Sequence, residues 1–423
     1  MIACLLLSNL SFAADFLAIY QMARANDATL AAAKENQLAV VEALPQARAN
    51  LFPLINAQLT REHHNDSSTQ LGKYISHNYT LNLTQTLFNY QYWAQYNQAN
   101  DIVKQANATY ADVELALIVR TATAYFDVLQ AGDNLKFTQA QRGAFAKFLD
   151  QTEQRFKVGL IAITDVQIAR AKHDSALAQE IAAKTNLENK KQVLQQITGC
   201  KVDNLAPLRD KIILPSPDPN NVELWVNTAL KNNWSLRASD YNALAAKDNI
   251  KIKAGGHFPI LNLEGRRTNV SPTITESFGN ETDTVIGLQL QVPIFQGGLV
   301  TSQTRQAMHE YCKASFDSET VYRTIESNTR QSFLNVISQL SQVKALNQAI
   351  ISNQSALDAT QAAFNVGTRT IVDVLNAQTD LIQAEQNYAT ARYTYIIQSL
   401  TLKQLAATLS PEDVQHINCW LKY

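Results

Sequence analysis

The chain has 423 residues, 17% of them charged, a formal net charge of -1, and only 13 Gly and 10 Pro. Near-neutral charge leaves no basic footprint for a nucleic-acid partner, and such sparse punctuation favours long uninterrupted helices. The charged share is below the usual value of about 25% for soluble domains. Ala, Gln, Asn and Thr fill the gap, as in helices that line water or pack in narrow seams.

Residues 1–14 read as a secretory leader, a short apolar run ending in small residues with cleavage expected after Ala13 or Ala14. The run lacks a positive n-region, so the expected translation start lies upstream of Met1. Cys4 follows only three residues and no apolar lead-in, which disfavours a lipoprotein acceptor. Cys200, Cys312 and Cys419 remain, too few and too scattered for a disulfide framework or a metal ligand set, and read as free thiols. No run after the leader reaches the ~18 apolar residues of a spanning helix. A membrane crossing by this chain therefore requires strands closed into a barrel.

From residue 16 to about 50 the sequence predicts a helix, which the Phe52-Pro53 pair stops. Two strands follow. The clearer one, 77–88, alternates Tyr79, Leu81, Leu83 and Leu87 with Asn78, Thr80, Asn82, Thr84 and Thr86, and its partner lies near 57–61. Two proline-free helices come next, 92–156 and 164–198. The first would be about 100 Å long at 1.5 Å per residue, a rod no globular core houses. A Pro-rich linker, 207–220, separates this unit from a second with the same order. Here the helix spans 222–254, Phe258-Pro259 breaks it, strands lie at 261–268 and around Ile286, Leu288 and Leu290, and long helices run 300–365 and 371–408.

Four landmarks recur at a nearly constant offset. Asn26 returns as Asn232, Phe52-Pro53 as Phe258-Pro259, Leu81 as Leu288, and the Phe156–Gly159 turn as Phe364–Gly367, at offsets of 206, 206, 207 and 208. The chain is thus one unit written twice, 15–206 and 221–410, followed by a tail at 411–423. On the last helix Val372, Leu375, Thr379, Ile382, Gln386, Ala389, Tyr393, Ile396 and Leu400 step by 3 and 4, the 3.5-residue period of supercoiling helices. Polar and small residues in that seam fit a wall of helices better than a two-stranded zipper. Four strands amid so much helix cannot bury both faces of a sheet, which favours a barrel wall with one apolar and one wet face.

Phe364-Asn-Val366-Gly367-Thr368-Arg369-Thr370-Ile371-Val372-Asp373-Val374-Leu375 resembles the inter-helix turn of the TolC family of outer-membrane channel-tunnel proteins. Phe156–Val166, Thr121–Phe126, Pro293–Gly298 and Ala391–Tyr395 are similar to other stretches of that family, and the likeness covers 15–413. The resemblance implies a mainly α fold with a β-barrel. Three chains would give four strands each to one twelve-stranded barrel in the outer membrane, and a helical barrel would cross the periplasm to a closed end. It also implies a passive conduit for drug efflux and type I secretion, a homotrimer in outer-membrane lipid. An inner-membrane pump (RND or ABC type) and a periplasmic adaptor would dock at the closed end. No cofactor and no metal are implied.

By the same resemblance Gly159 and Gly367 serve the inter-helix turns. Thr164, Asp165, Phe364 and Arg369 form a periplasmic latch, with Thr164 and Asp165 of one helix pair meeting Arg369 of the other. Asp373 and Asn376 line a constriction of the lumen. Phe364 stands where the family often has tyrosine and Asn376 where a second aspartate is expected, so a looser latch and a weaker cation preference are expected. Without the resemblance, Asp165, Arg369 and Asp373 read as solvated charges at helix ends. His63, His64, Asp66 and His77 lack metal-ligand spacing, and Gln296-Gly297-Gly298 lacks the spacing and the Lys of a phosphate loop. Tyr90, Tyr92 and Trp93 fit either an interfacial belt or ordinary packing where strand gives way to helix. The competing function is a soluble coiled-coil scaffold without a pore; an enzyme lacks any supporting constellation.

Overall fold

The computed structural model describes residues 14–66, 72–202, 204–209, 212–272 and 281–422. The leader and the tips of both outer loops lie outside the described residues. The elements in chain order are α1 (Phe16–Asn26), α2 (Ala28–Val41), α3 (Ala43–Ala49), β1 (Leu54–Asp66), β2 (Gly72–Phe88), α4 (Tyr90–Lys157) and α5 (Ile163–Thr198). Then come α6 (Val222–Asn232), α7 (Trp234–Ala254), β3 (Ile260–Pro272), β4 (Glu281–Gln291), α8 (Leu299–Asn365), α9 (Ile371–Leu405) and α10 (Pro411–Asn418). The helices α4 and α8 hold 68 and 67 residues, about 100 Å each. Among the described residues no helix is long and apolar enough to cross a membrane.

Each expected opening helix is broken. In the first copy the break falls at Asp27, whose carboxylate accepts from the backbone of Leu30 at 2.8 Å and so starts α2. In the second it falls at the equivalent Asn233, whose side chain donates to the Leu405 carbonyl at 2.9 Å. A further break at Glu42 precedes Pro45, which has no N–H to continue the ladder. Polar residues competing for backbone partners end these helices, a signal that the apolar pattern alone does not carry.

Two compact units form, and each draws on both copies: Met1–Ala33, Ala111–Trp234 and Arg323–Tyr423 in one, Lys34–Tyr110 and Ser235–Tyr322 in the other. The second unit carries the sheet, four antiparallel strands in the order β1-β2-β3-β4. Its strands run longer than the alternation alone outlined, 13 and 17 residues for β1 and β2. Every residue of β4 is exposed, and Leu59, Ile286 and Leu288 are among the exposed apolar side chains of the sheet. Among the described strand residues only Ser76 is buried, so the sheet does not behave as a soluble half-buried one. At its base Tyr90 stacks on Phe258 with centroids 4.8 Å apart, whereas Trp93 is exposed.

In the first unit Phe16, Tyr125, Phe126 and Tyr393 pack ring against ring at centroid separations of 5.4–6.0 Å. The Tyr125 hydroxyl donates to the Ala206 carbonyl at 2.8 Å, and Arg120 meets the buried Asp27 carboxylate at 2.7 Å. The heptad seam of α9 is buried or half-buried throughout. A second stripe, including Ile371, Val374, Leu381, Ala384, Ala391 and Tyr395, is buried beside it. A helix with two buried stripes has neighbours on two sides.

The C-terminal segment is not a loose tail. Helix α10 is capped by Ser410 and Asp413, Asn418 donates to Asp15 at 2.9 Å, and Leu421 is fully buried beside Leu208 of the linker. Cys312 and Cys419 are free thiols, but Cys200 is not: its sulfur is in a disulfide.

Candidate functional site: the inter-helix turns

Helices α4 and α5 meet at Gly159, and α8 and α9 at Gly367, with φ of 76° and 82°. In each turn the glycine N–H bonds three residues back and the next N–H five residues back. These are Gly159 to Phe156 and Leu160 to Arg155 at 2.9 and 3.0 Å, and Gly367 to Phe364 and Thr368 to Ala363 at 3.0 and 2.9 Å. This is the Schellman pattern, which satisfies the last carbonyls of a helix and requires a left-handed residue that only glycine adopts without strain.

The following helices start differently. Thr370 caps α9: its hydroxyl accepts from the Asp373 backbone at 3.3 Å, while the Asp373 carboxylate accepts from the Thr370 N–H and hydroxyl at 2.9 and 2.8 Å. These two bonds, with the nearby Arg369 cation, hold the Asp373 carboxyl below the usual carboxylate range. In the first copy Ala162 occupies the cap position and offers no side-chain bond. The Thr-x-x-Asp spacing of this box is a sequence signal of a helix start.

Phe364 does not hang free. It is half-buried against Phe145, Ala176, Ile371 and Leu375, and the Arg155 guanidinium sits over its ring at 4.5 Å from the centroid. Helices α4, α5, α8 and α9 thus share one small apolar cluster just above the turns, and an ion pair of Arg170 with Glu153 at 2.9 Å ties α4 to α5. Phe145 and Arg155 are participants that the turn motif alone did not single out. Thr164, Arg369 and Asn376 are exposed and Asp165 half-exposed. Among the described residues neither Asp165 nor Arg369 forms an ion pair within the chain. Val158, Leu160, Ile163 and Val366 are also exposed at the tips. The turns therefore present uncommitted charge beside uncommitted apolar surface.

Residues 19–200 and 225–408 match the family described as "Outer membrane efflux protein". The chain belongs to that family. It is 38% identical over 421 residues to the outer membrane protein TolC of Vibrio cholerae, covering 98% of this chain and 96% of that one. It is 24% identical to the proteases secretion protein PrtF of Dickeya chrysanthemi, covering 97% and 92%. The crystal structure of the Campylobacter jejuni CmeC outer membrane channel superposes with a TM-score of 0.81 at 16% identity, covering 96% of this chain and 90% of that chain. The fold is that of the outer-membrane efflux proteins, and the chain lies in the outer membrane and extends into the periplasm. It is an exit duct, close to TolC, and the relatives it matches are channel and secretion proteins rather than enzymes.

Proposed function

We propose that three copies of the chain assemble into one gated conduit for efflux substrates and for type I protein secretion, with no catalytic step of its own. The observation that carries this reading is a four-stranded sheet whose β4 is exposed on both faces and whose apolar side chains Leu59, Leu81, Ile286 and Leu288 stay exposed, in a chain whose longest helices reach about 100 Å. Among the described residues the outer edges of β1 and β4 have no partner strand within the chain. Pairing β4 of one copy with β1 of the next removes every edge and closes a barrel, the only strand arrangement that satisfies its backbone in lipid. The copies 15–206 and 221–410, joined by 207–220, would then alternate around the wall.

At the periplasmic tips, Thr164 and Asp165 of one helix pair would meet Arg369 of the adjacent copy; all three are available, having no ion pair of their own. Solvated ion pairs contribute only about 0–1 kcal/mol each, so a ring of them closes the tips and still opens. Phe364 has no hydroxyl to add to this latch, and its ring is engaged with Arg155 and Leu375 inside the chain. Asp373 and Asn376, one turn apart on α9, would face the lumen at the constriction. The exposed Val158, Leu160 and Val366 suit a periplasmic adaptor, which links the duct to an inner-membrane pump of RND or ABC type; the pump supplies the driving energy.

Conductance of the detergent-purified chain in a planar bilayer tests this. Small steps are expected from the wild type, and larger ones from Arg369→Ala, because the latch loses its only cation. A chain that extracts without detergent and never conducts would replace this reading with the soluble scaffold.

A further inference from the structure

The sheet separates its charges by face. The register places Arg61 opposite His77 and His63 opposite Ile75 on one side, with Asn65 opposite Lys73, and Arg267 between Leu81 and Thr284. This is the side of Ile55, Ala57, Leu59, Tyr79, Leu81, Leu83, Ile286, Leu288 and Leu290, the apolar face that a barrel turns to lipid. The strand acids whose side chains are described, Glu62, Glu264, Glu281 and Asp283, all fall on the opposite, polar face by strand alternation. Only Arg266 and His64 among the strand bases join them there.

The bases on the apolar face sit along its border. On β1 and β2 the apolar run ends at Leu59 and Tyr79, and Arg61 and His77 come next; on β3 it ends at Leu263 and Gly265, and Arg267 comes next. Strands in such barrels tilt by about 35–45°, so a border slanting across the register is expected of a level membrane plane. Arg61 and Arg267 are exposed and, among the described residues, form no ion pair within the chain. Beside Arg267 a groove of about 270 Å³ opens on this wall, lined by Ala57, Leu59, Tyr79, Leu81 and Asn269 together with Gln58 and Thr80. Ala57 is the smallest side chain of that lining.

We infer that this groove and its arginines hold a phosphorylated glycolipid of the outer leaflet, with an acyl chain against Ala57, Leu59 and Leu81 and phosphates on Arg61 and Arg267. Three features converge on that occupant. A lipid-facing arginine is tolerated only near the interface, where the headgroups lie. The guanidinium fork matches phosphate oxygens in a two-bond geometry. A face whose described strand acids are all turned away repels no anion, whereas a zwitterionic headgroup would gain nothing from that sorting. The inference rests on the outer-membrane barrel and not on gating at the helix tips.

Native mass spectrometry of the detergent-purified full chain, offered equal amounts of diphosphorylated lipid A, its dephosphorylated form and phosphatidylcholine, tests the site. The wild type is expected to retain the diphosphorylated lipid selectively. Each of Arg61→Gln and Arg267→Gln should lower that retention about fivefold, and Arg266→Gln, on the other face, should not. Ala57→Leu fills the groove with every charge in place and should lower retention too, so a failure of one arginine variant to assemble does not block the test. Unaltered bilayer conductance in the variants shows the barrel intact and separates this inference from that of the conduit. Equal retention of all three lipids, or undiminished retention in the intact variants, would overturn it. So would displacement of the lipid by millimolar inorganic phosphate, which would mean that the arginines hold a free anion without the groove.

Discussion

Asp373 illustrates how one side chain serves local structure before it serves function. Its carboxylate closes a capping box with Thr370, and these bonds depress its pKa. A group whose folded-state value lies below the unfolded one contributes stability that is complete above the unfolded value, about 3.9 for aspartate, and is lost as pH falls through the folded one. The protection of amides in the first turn of α9, measured against their intrinsic exchange rate at each pH, should therefore hold from neutral pH down to about pH 5 and fall only below about pH 4. Thr370→Ala removes half of the box and should lower it about fivefold at neutral pH. Equal exchange in both proteins would show the cap to be idle. The first copy provides an internal comparison, because Ala162 starts α5 without a side-chain bond.

Among the elements, α9 holds the tips together. Its Leu375 is fully buried, and with Ile371 it meets Phe145 of α4, Ala176 of α5 and Phe364 of α8. The 3.5-residue period placed Leu375 in a seam, but the period is silent about which helices supply the opposite wall. Leu375→Ala should cost about 2–5 kcal/mol locally, since the cluster is small and cannot collapse around the void. The readout is limited proteolysis at the Lys157 and Arg369 turns, expected to speed up while the sheet stays protected. Unchanged cleavage would mean that the two helix pairs are held by contacts elsewhere. The same packing accounts for Phe364, whose ring finds its partners inside the chain.

For the whole molecule the decisive quantity is charge along the conduit. In the proposed conduit, one carboxylate per copy at Asp373, with Asn376 one turn away, would make a constriction of modest negative field. Asn376→Asp doubles that charge in an assembly of any symmetry and should raise cation over anion permeability, read from reversal potentials in a salt gradient. No shift would remove Asn376 from the lumen.

The sequence by itself determined the four strands, the four long helices and both glycine turns. Each of these is a local matter: period 2 or 3.5, a Phe-Pro stop, or a glycine where φ must be positive. The Thr370–Asp373 box was equally local and was there to be read. Other features took the tertiary structure to decide. Asp27 and Asn233 break what the pattern drew as single helices, because their side chains take backbone bonds, in the case of Asn233 from a residue 172 positions away. Residues 411–422 dock rather than trail, because Asp15 and the linker offer them partners distant in sequence. The sorting of bases and acids to opposite faces of the sheet needed the strand register: alternation fixes which residues share a face within one strand, but only pairing says which rows align across four.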